Sequence, residues 1–487
     1  MRRHLHRIVM PVTVATLTLA TPALAQTIAA PPISADLSEP PLIGYKDSLV
    51  YVRDPRDFIR LYPHLQLDLD GHGFAGPGVD TLPASIAGLS LAPSFFVRHA
   101  RFDLGGELWK RIDFDGGIEL VANPAVDGSR ASSLGTVVAL ADAWVKLDAG
   151  RGLGLWLGVF QAPFSLENST AVTQLAMMER NVAVRGFIAP GGGKALGAAF
   201  SGRTEKTTLY WDAGAFGAET IAPGDFEQHF DGIGRIGWRP LAKHESSALR
   251  GFELGLSARA GARNARDLSG DAPAITTGQG FAMWRPTRLD SSGRLVHVIP
   301  DSLEWGAGAE LMIPAGGFVF RSEAFWMSKD MREAYDGMQS SSMVRAGDLS
   351  GLGWYGELSW WPLQTFRLVP PVSLPRSAPD TDHLEVARIA AVPERRGLEV
   401  AVIGAGINAS YSGASRIGTP DPHAVSGIEI YQAGFAASYW QSANLRFTAD
   451  ANAYVTPESG SIVVPSNLVG GGAHWMAELG ARVSVMF

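Results

Sequence analysis

The chain has 487 residues, no cysteine and a formal net charge of −7, because 48 acidic residues outnumber 41 Lys and Arg. The acidic balance argues against a nucleic-acid partner. The lack of cysteine excludes disulfides, thiolate metal sites and cysteine nucleophiles. Hydrophobic residues make up 46% of the chain, yet after the N-terminal 25 residues no apolar run reaches the roughly 18 residues of a transmembrane helix. The composition alone is compatible both with a soluble β protein and with a membrane barrel.

The first 25 residues have the three parts of a secretory signal peptide. Three arginines form a positive start, residues 8–20 are an apolar run, and Ala23-Leu24-Ala25 is a small-x-small cleavage site. We therefore expect an exported protein. Residues 26–58 contain several prolines and no periodic pattern, and we interpret them as a periplasmic N-terminal segment rather than a domain.

From residue 59 onward, apolar and polar residues alternate in a long series of short segments. In Leu65-Gln66-Leu67-Asp68-Leu69-Asp70 every odd position is apolar and every even position is polar, which is the period of a strand with two unlike faces. We predict sixteen such strands. The predicted strands cover 59–70, 94–107, 110–121, 136–148, 152–160, 195–203, 206–217, 231–240, 250–263, 303–313, 317–328, 351–362, 397–409, 427–440, 443–455 and 473–487.

The connections between these strands alternate between long and short, as in 71–93 followed by 108–109. This rhythm is typical of an up-and-down barrel in an outer membrane. In lipid a sheet must close on itself to satisfy its backbone groups. We therefore predict an all-β, antiparallel transmembrane barrel over residues 59–487, in the bacterial outer membrane. The Pro-rich segment 363–396 is longer than the short turn expected there, and the pattern does not explain it.

The chain ends on an aromatic residue, Phe487. In the last predicted strand Val483 and Val485 are apolar, whereas Arg482 and Ser484 between them are polar. The apolar face is the one that we expect to meet lipid. A final strand with a terminal aromatic residue resembles the signal that the barrel-insertion machinery reads in outer-membrane barrels, and we assign Phe487 that role.

Three ordered motifs lie close together in the middle of the sequence. Residues 158–167 read Gly-Val-Phe-Gln-Ala-Pro-Phe-Ser-Leu-Glu, and Met178-Glu179-Arg180 and Ala189-Pro190-Gly191 follow. These motifs resemble the phosphate-selective porin O and P family of bacterial outer-membrane proteins. The resemblance covers the chain from about residue 59 to its end. It implies a barrel of sixteen or eighteen strands, a homotrimer, and residues 161–194 as a loop folded into the pore.

Charged and polar residues of that loop are candidates for a pore constriction. They are Gln161, Glu167, Glu179, Arg180, Arg185 and Lys194. Many members of the family carry a basic residue where this chain has Gln161. We interpret Glu179 with Arg180 mainly as a pair that anchors the loop to the wall, with constriction as a second role.

The polar faces of the strands supply a predicted lumen wall. Its candidates are Arg101, Asp103, Arg111, Asp113, Lys146, Arg259, Arg263, Arg321, Arg446 and Arg482. Further acidic residues on the same faces make the acids outnumber the bases. A wall with both signs of charge focuses ions only locally, so we expect weak ion selectivity.

The sequence therefore predicts a porin, a passive channel for small hydrophilic solutes and ions, with phosphate or other anions as candidate solutes. We expect outer-membrane lipid around it, and no enzymatic activity, cofactor, metal or nucleic acid. The alternative is an outer-membrane barrel enzyme or a plugged adhesion scaffold, because a catalytic triad depends on geometry rather than on residue order.

Two short motifs suggest other chemistry. Residues 68–73 look like the start of a calcium loop, but the position that needs a bidentate carboxylate is Val79, and we predict a Gly-rich external loop instead. Residues 404–406 are similar to part of a dinucleotide motif, but Ala409 replaces its third glycine.

Overall fold

The computed structural model describes fifteen stretches of the chain. They are residues 42–46, 49–76, 93–121, 137–187, 194–204, 208–217, 230–242, 249–264, 275–284, 287–289, 295–335, 345–363, 396–418, 428–456 and 475–487. The predicted signal peptide and nearly all of the Pro-rich segment 363–396 lie outside these stretches.

Strands dominate the described residues. They are β1 (Ile43–Lys46), β2 (Leu49–Arg53), β3 (Ile59–Ala75), β4 (Ser94–Leu108), β5 (Ile112–Val121), β6 (Val137–Gly150), β7 (Leu153–Gln161), β8 (Lys194–Arg203), β9 (Leu209–Gly217), β10 (Phe230–Trp238), β11 (Glu253–Asn264), β12 (Ile275–Thr276), β13 (Ala282–Trp284), β14 (Thr287–Leu289), β15 (Leu295–Ala315), β16 (Phe318–Tyr335), β17 (Arg345–Trp360), β18 (Gly397–Ile417), β19 (Ile428–Ser442), β20 (Leu445–Val455) and β21 (Trp475–Met486). Two short helices, α1 (Leu166–Ser169) and α2 (Val182–Phe187), flank a 3-10 turn at Val172–Gln174. No helix in these stretches is long and apolar enough to cross a membrane.

Sixteen strands, β3 to β11 and β15 to β21, form a closed antiparallel barrel in which each strand pairs with its neighbours in sequence. The barrel closes between its last and first strands, with Val483 of β21 opposite Leu69 of β3. At the end of the chain, Phe487 and Leu65 exchange two backbone hydrogen bonds of 2.9 Å. The sixteen predicted strands are thus confirmed, and the alternative of eighteen is wrong.

The two faces of the barrel wall differ in chemistry as the alternation predicts. On β3, Leu65 and Leu69 are 46% and 45% exposed, whereas Asp68 and Asp70 are 2% and 1% exposed. The other wall strands repeat this arrangement, with exposed Leu, Val, Phe and Trp alternating with buried charged or small residues. The apolar face therefore points outward and the polar face lines the interior.

The Gly-rich external loop predicted at 68–73 is wrong. Strand β3 continues to Ala75, and these residues pair with β21 on one side and with β4 on the other. The alternation simply extends through the glycines, so Asp68 and Asp70 face the interior and do not belong to a loop. Residues 404–406 likewise belong to β18.

The N-terminal segment contains a hairpin that the sequence pattern does not predict. Strand β1 pairs with β2, and β2 pairs with the first residues of β3, where Val52 lies opposite Leu61. The ring centroids of Tyr51 and Tyr62 are 6.5 Å apart. The hairpin thus pairs with the same edge of β3 as β21 does, beyond the point where β21 ends.

Candidate pore constriction

Residues 162–187, here called the inner segment, leave the end of β7 and contact inward-facing residues across the barrel. The backbone N–H groups of Leu166 and Glu167 each donate to the Glu323 carboxylate of β16 at 2.8 Å. Farther along, the N–H of Val182 donates to Gln432 Oε1 of β19 at 2.8 Å. Because both acceptors lie on the polar face, the inner segment lies against the interior wall.

Glu323 holds the start of α1. Besides the two backbone groups, its carboxylate accepts from Ser165 Oγ at 3.1 Å and from Tyr355 Oη at 2.5 Å. Ser165 has φ 78°, which is rare for a residue with a side chain and requires support from its surroundings. Its hydroxyl also caps the helix by accepting from Asn168 N–H at 3.1 Å. A wall carboxylate and a strained serine thus fix the point where the inner segment turns.

Arg180 and Glu167 give the inner segment its internal shape. The Arg180 guanidinium donates to the backbone carbonyls of Glu167, Asn168 and Thr170 at 3.3, 3.2 and 2.8 Å. The Glu167 carboxylate accepts from Asn181 N and Nδ2 at 3.1 and 2.6 Å. Burial and the nearby charge of Glu357 raise the pKa of Glu167 to about 7. These contacts close the segment on itself.

Glu179 connects the inner segment to the wall. Its carboxylate lies 3.1 Å from Arg98 of β4, 2.7 Å from Arg482 of β21 and 3.6 Å from Arg185 of α2. Burial alone would raise the pKa of Glu179, but the three guanidinium groups together hold that pKa well below its usual range. Glu179 and Arg180 therefore contact different groups, the wall and the segment itself, although the sequence suggests that they act as a pair.

An apolar stretch of the inner segment packs on glycines of the wall. A Cβ at Gly480 would lie 3.0 Å from Met178 Sδ, and one at Gly434 would lie 3.0 Å from Met177 Cε. The Met178 carbonyl also accepts from Arg482 Nη1 at 2.8 Å. Glycine at these two positions leaves the room that the methionine side chains fill.

A second element reaches the interior from the long connection between β11 and β15. Within the β12–β13 hairpin, the N–H groups of Gly278 and Gln279 donate to Tyr454 Oη at 3.2 Å and to Glu478 Oε1 at 3.1 Å. Arg185 Nη2 of the inner segment donates to Thr276 Oγ1 at 3.2 Å. The sequence pattern does not predict this hairpin. Its local signal is weak, a Thr-Gly-Gln-Gly turn between apolar residues.

The ends of the predicted loop lie close to the wall. Gln161 Nε2 donates to Asn168 Oδ1 at 2.9 Å. Lys194 Nζ donates to the Ala141 carbonyl at 2.8 Å and to Asp142 at 2.7 Å. Of the six constriction candidates, Glu167, Glu179, Arg180 and Arg185 thus lie together in the inner segment, whereas Gln161 and Lys194 flank it.

Ion pairs on the inner face involve five of the ten wall candidates. The pairs are Arg101 with Asp103 and Asp142, Arg259 with Asp231 and Glu304, Arg321 with Glu357, and Arg482 with Asp70. Asp113 and Lys146 lie opposite each other on β5 and β6, and Lys146 Nζ lies 4.9 Å from the centre of the Trp156 ring.

Three wall candidates differ from the others. Arg111 is exposed in the turn before β5 rather than on the wall. Arg263 is part of β11, opposite Ser302, but its side chain is outside what the structure describes. Arg446 has a carbonyl partner, the Leu175 oxygen at 3.1 Å, instead of a carboxylate.

Asp103, Asp115 and Asp142 bring three carboxylates within 4.8 Å of one another. Oxygen ligands in such a group suit a hard cation. However, Arg101 pairs with two of these carboxylates and Lys194 with one. Protein cations therefore already neutralise much of the charge of this group.

Several proteins of known structure are similar to this chain over most of its length. No curated protein matches the chain. OmpT of Vibrio cholerae, in its trimer form, is 7% identical with a TM-score of 0.47, and the alignment covers 88% of this chain and 100% of that one. The channel DcaP of Acinetobacter baumannii is 8% identical with a TM-score of 0.48, covering 89% and 99%. An anion-selective porin from Comamonas acidovorans is 10% identical with a TM-score of 0.45, covering 88% and 100%.

The comparison with protein families gives one match that includes the inner segment and the wall around it. The sequence model of that family matches residues 90–369, more than half of the chain. The matched region contains all three ordered motifs, the inner segment and eleven of the sixteen barrel strands. The chain therefore belongs to the phosphate-selective porin O and P family, a family of outer-membrane porins.

Proposed function

We propose that this porin is a passive, weakly ion-selective channel for small hydrophilic solutes, in which the inner segment forms the constriction. The proposal combines the family, the closed barrel with a polar interior, and the position of the inner segment against the inner wall. It assigns no enzymatic step and no cofactor.

We infer weak selectivity from the ion pairs that charged residues of the wall form with one another. Arg235 illustrates it, because its guanidinium lies 2.8 Å from Glu310 and 3.5 Å from Glu253. Glu304 likewise bridges Arg259 and Lys329, at 3.0 Å from each. A cation that is neutralised by a wall carboxylate contributes little net potential to a passing anion. The family name and the basic residues keep phosphate and other anions among the candidate solutes, without a strong preference for them.

The outer surface supports a membrane-embedded assembly. We propose that the exposed apolar face meets outer-membrane lipid, that three copies assemble into a homotrimer, and that the insertion machinery reads Phe487 at the end of β21. Phe487 is 56% exposed, so its ring is accessible for such a contact. Chemical cross-linking in membranes, with a band at three times the monomer mass, tests the oligomeric state.

Planar-bilayer recording of the purified protein tests the channel. The expected result is stepwise, ohmic conductance with a reversal potential near zero in a KCl gradient. A potential close to the Nernst limit for chloride would refute weak selectivity, and block of the chloride current by millimolar phosphate would establish phosphate as a preferred solute. A folded protein that gives no current would instead support the plugged-scaffold alternative.

A further inference from the structure

Cations are concentrated on one side of the barrel end that has the short turns. In an outer-membrane barrel this end faces the periplasm. From the connection before β3 to the connection before β11, the described residues at this end include more exposed or half-buried cations than acids. The cations, here called the basic rim, are Arg56, Arg60, Lys110, Arg111, Arg151, Arg203 and Arg250, and the acids are Asp54, Asp57, Glu107 and Asp148. The basic rim is therefore positive, although the whole chain has a net charge of −7.

The far side of the same barrel end has almost no charge. There the described residues of the connections are 316–317, 361–363, 396 and 443–444, and Arg396 is the one charged residue among them. The others are small, apolar or amide side chains. The excess of cations is thus a property of one side of this end and not of the whole ring of turns.

Backbone hydrogen bonds join neighbouring turns of the basic rim. The carbonyl of Arg111, in the turn between β4 and β5, accepts from the N–H of Asp148 on β6 at 2.7 Å. The carbonyl of Gly152, in the turn between β6 and β7, accepts from the N–H of Arg203 on β8 at 2.9 Å. Consecutive turns are therefore fixed side by side, and their cations form a row along the edge of the barrel.

Several residues of this row have a backbone conformation that is rare for a residue with a side chain. Six described non-glycine residues have a positive φ, and four of them lie here, at Asp57, Trp109, Lys110 and Arg151, with φ of 54°, 51°, 57° and 55°. Glycine or asparagine takes this conformation at a lower cost. Strained positions of this kind cluster where a particular side chain has a function. At Lys110 and Arg151 that side chain is an exposed cation at the tip of a turn.

The basic rim lies directly beside the apolar outer face of the barrel. Trp109, next to Lys110 in the turn, is 60% exposed, and Phe58 and Leu153 at the ends of neighbouring strands are also exposed. An exposed Trp beside a Lys is typical of a membrane interface, where the ring lies at the level of the headgroups and the cation reaches their phosphates. The position of the rim therefore favours a lipid partner over a polymer that lies away from the membrane.

A row of cations is complemented by phosphodiesters, which offer acceptors and negative charge. We propose that the basic rim binds headgroups of anionic phospholipids in the periplasmic leaflet of the outer membrane, on one side of the barrel only. Arg111 and Arg151 form no ion pair with any described residue. Lys110 lies 3.2 Å from Asp57 but is 72% exposed at its side chain, so donors remain for a phosphate. This inference rests on the proposed membrane position and adds the class of lipid, the leaflet and the side.

Native mass spectrometry of the purified protein in detergent counts the lipids that the protein retains. The protein is incubated with phosphatidylglycerol or with phosphatidylcholine of the same acyl chains, each over a range of concentrations. The variants are Arg151→Gln and the double variant Lys110→Gln with Arg151→Gln. Arg396→Gln is the matched control, because it removes one exposed cation from the far side of the same barrel end.

We expect the wild type and Arg396→Gln to retain phosphatidylglycerol several-fold more tightly than phosphatidylcholine. This preference should decrease in Arg151→Gln and fall roughly ten-fold or more in the double variant, because each cation near a lipid surface adds to the attraction. Equal retention of the two lipids by the wild type would overturn the proposal. Equal losses in Arg151→Gln and Arg396→Gln would also overturn it, because the effect would then follow net charge and not the rim.

Peptidoglycan is the competing partner at the periplasmic end, and co-sedimentation of the same proteins with purified sacculi tests it. Sedimentation that requires Lys110 and Arg151, with unchanged lipid retention in the double variant, would assign the rim to peptidoglycan and overturn the lipid proposal. If a variant shows no folded band in semi-native electrophoresis, the comparison of the two lipids on the wild type decides. Stepwise conductance of the wild type in a phosphatidylcholine bilayer tests the channel separately, because conduction does not require an occupied rim.

Discussion

Arg482 on the last strand binds Glu179 of the inner segment at 2.7 Å and Asp70 of the first barrel strand through two further bonds of 2.7 Å. One guanidinium therefore joins the inner segment to both sides of the barrel seam. Arg482 is 2% exposed, so these charge-assisted hydrogen bonds form away from bulk water. Such bonds are stronger there than in contact with bulk water. Closing the barrel and fixing the inner segment are thus connected through one side chain.

Glu179→Gln is expected to loosen the inner segment. It leaves Arg98, Arg185 and Arg482 close together without the carboxylate between them, and breaking a buried pair typically costs about 3–5 kcal/mol. Single-channel recording should show larger open-channel noise and a higher mean conductance. The matched control is Glu304→Gln, whose pairs with Arg259 and Lys329 join wall residues. Identical traces from the two variants would show that Glu179 does not hold the segment.

Glu167 is expected to make the stability of the protein depend on pH. Its pKa in the folded state is about 7, above the ordinary 4.5, so the folded state binds a proton that the unfolded state releases. The resulting stabilisation is complete below about pH 4.5 and is lost as pH rises through about 7.

Glu167→Gln removes this titration while it keeps a carbonyl oxygen for Asn181. The temperature at which the folded band disappears in semi-native electrophoresis should fall less between pH 5 and pH 8 in the variant than in the wild type. An equal fall in both proteins would mean that Glu167 does not titrate in this range.

Gly480→Ala is expected to displace the inner segment. The new methyl group would meet Met178 and the Asp450 carboxylate, and overpacking of this kind typically costs about 1–3 kcal/mol. Gly404→Ala is the control, because a Cβ there has no atom within 4 Å. Melting temperature and channel noise should change for Gly480→Ala only. A change of equal size in both variants would assign the effect to strand propensity rather than to contact with the segment.

Val483→Asp is expected to harm membrane assembly more than Ser484→Asp. Val483 is on the outward face of β21, and a charged side chain there would meet lipid, which costs up to roughly 2–4 kcal/mol for Lys or Arg at the membrane midplane and less for Asp. Ser484 faces inward, opposite Arg446, which can compensate the new carboxylate. The yields of folded barrel in isolated outer membranes measure the difference, and equal yields would mean that the two faces of β21 are assigned incorrectly.

The wall of the barrel was predictable from sequence because each strand carries its own signal. Lipid requires an apolar outer face and the interior tolerates charge, so a period of two appears in every strand regardless of its partners. The β1–β2 hairpin was missed because its strands have only four and five residues, too few for a period to stand out. The β12–β13 hairpin was missed because its stabilising partners, Tyr454 and Glu478, are distant in sequence.

The contacts of the candidate site were less predictable than its location. The inner-segment residues were identified from family motifs, but their partners depend on how strands are aligned. Arg259, for example, binds Asp231 on one neighbouring strand and Glu304 on the other, and a shift of one residue in either pairing would place those carboxylates on the opposite face. The numbers of acidic and basic residues in the sequence therefore predict an interior with charges of both signs. Which of these charges form ion pairs can be seen only in the structure.

The hairpin at the start of the described chain has a practical consequence for work with this protein. Phe487 ends opposite Leu65, and β2 occupies the same edge of β3 only four residues away, at Leu61. A peptide tag added after Phe487 and continuing as a strand would run into β2 almost at once. Affinity tags and fluorescent labels for this protein therefore belong in one of the long connections, where an insertion leaves the edge of β3 to its two natural occupants.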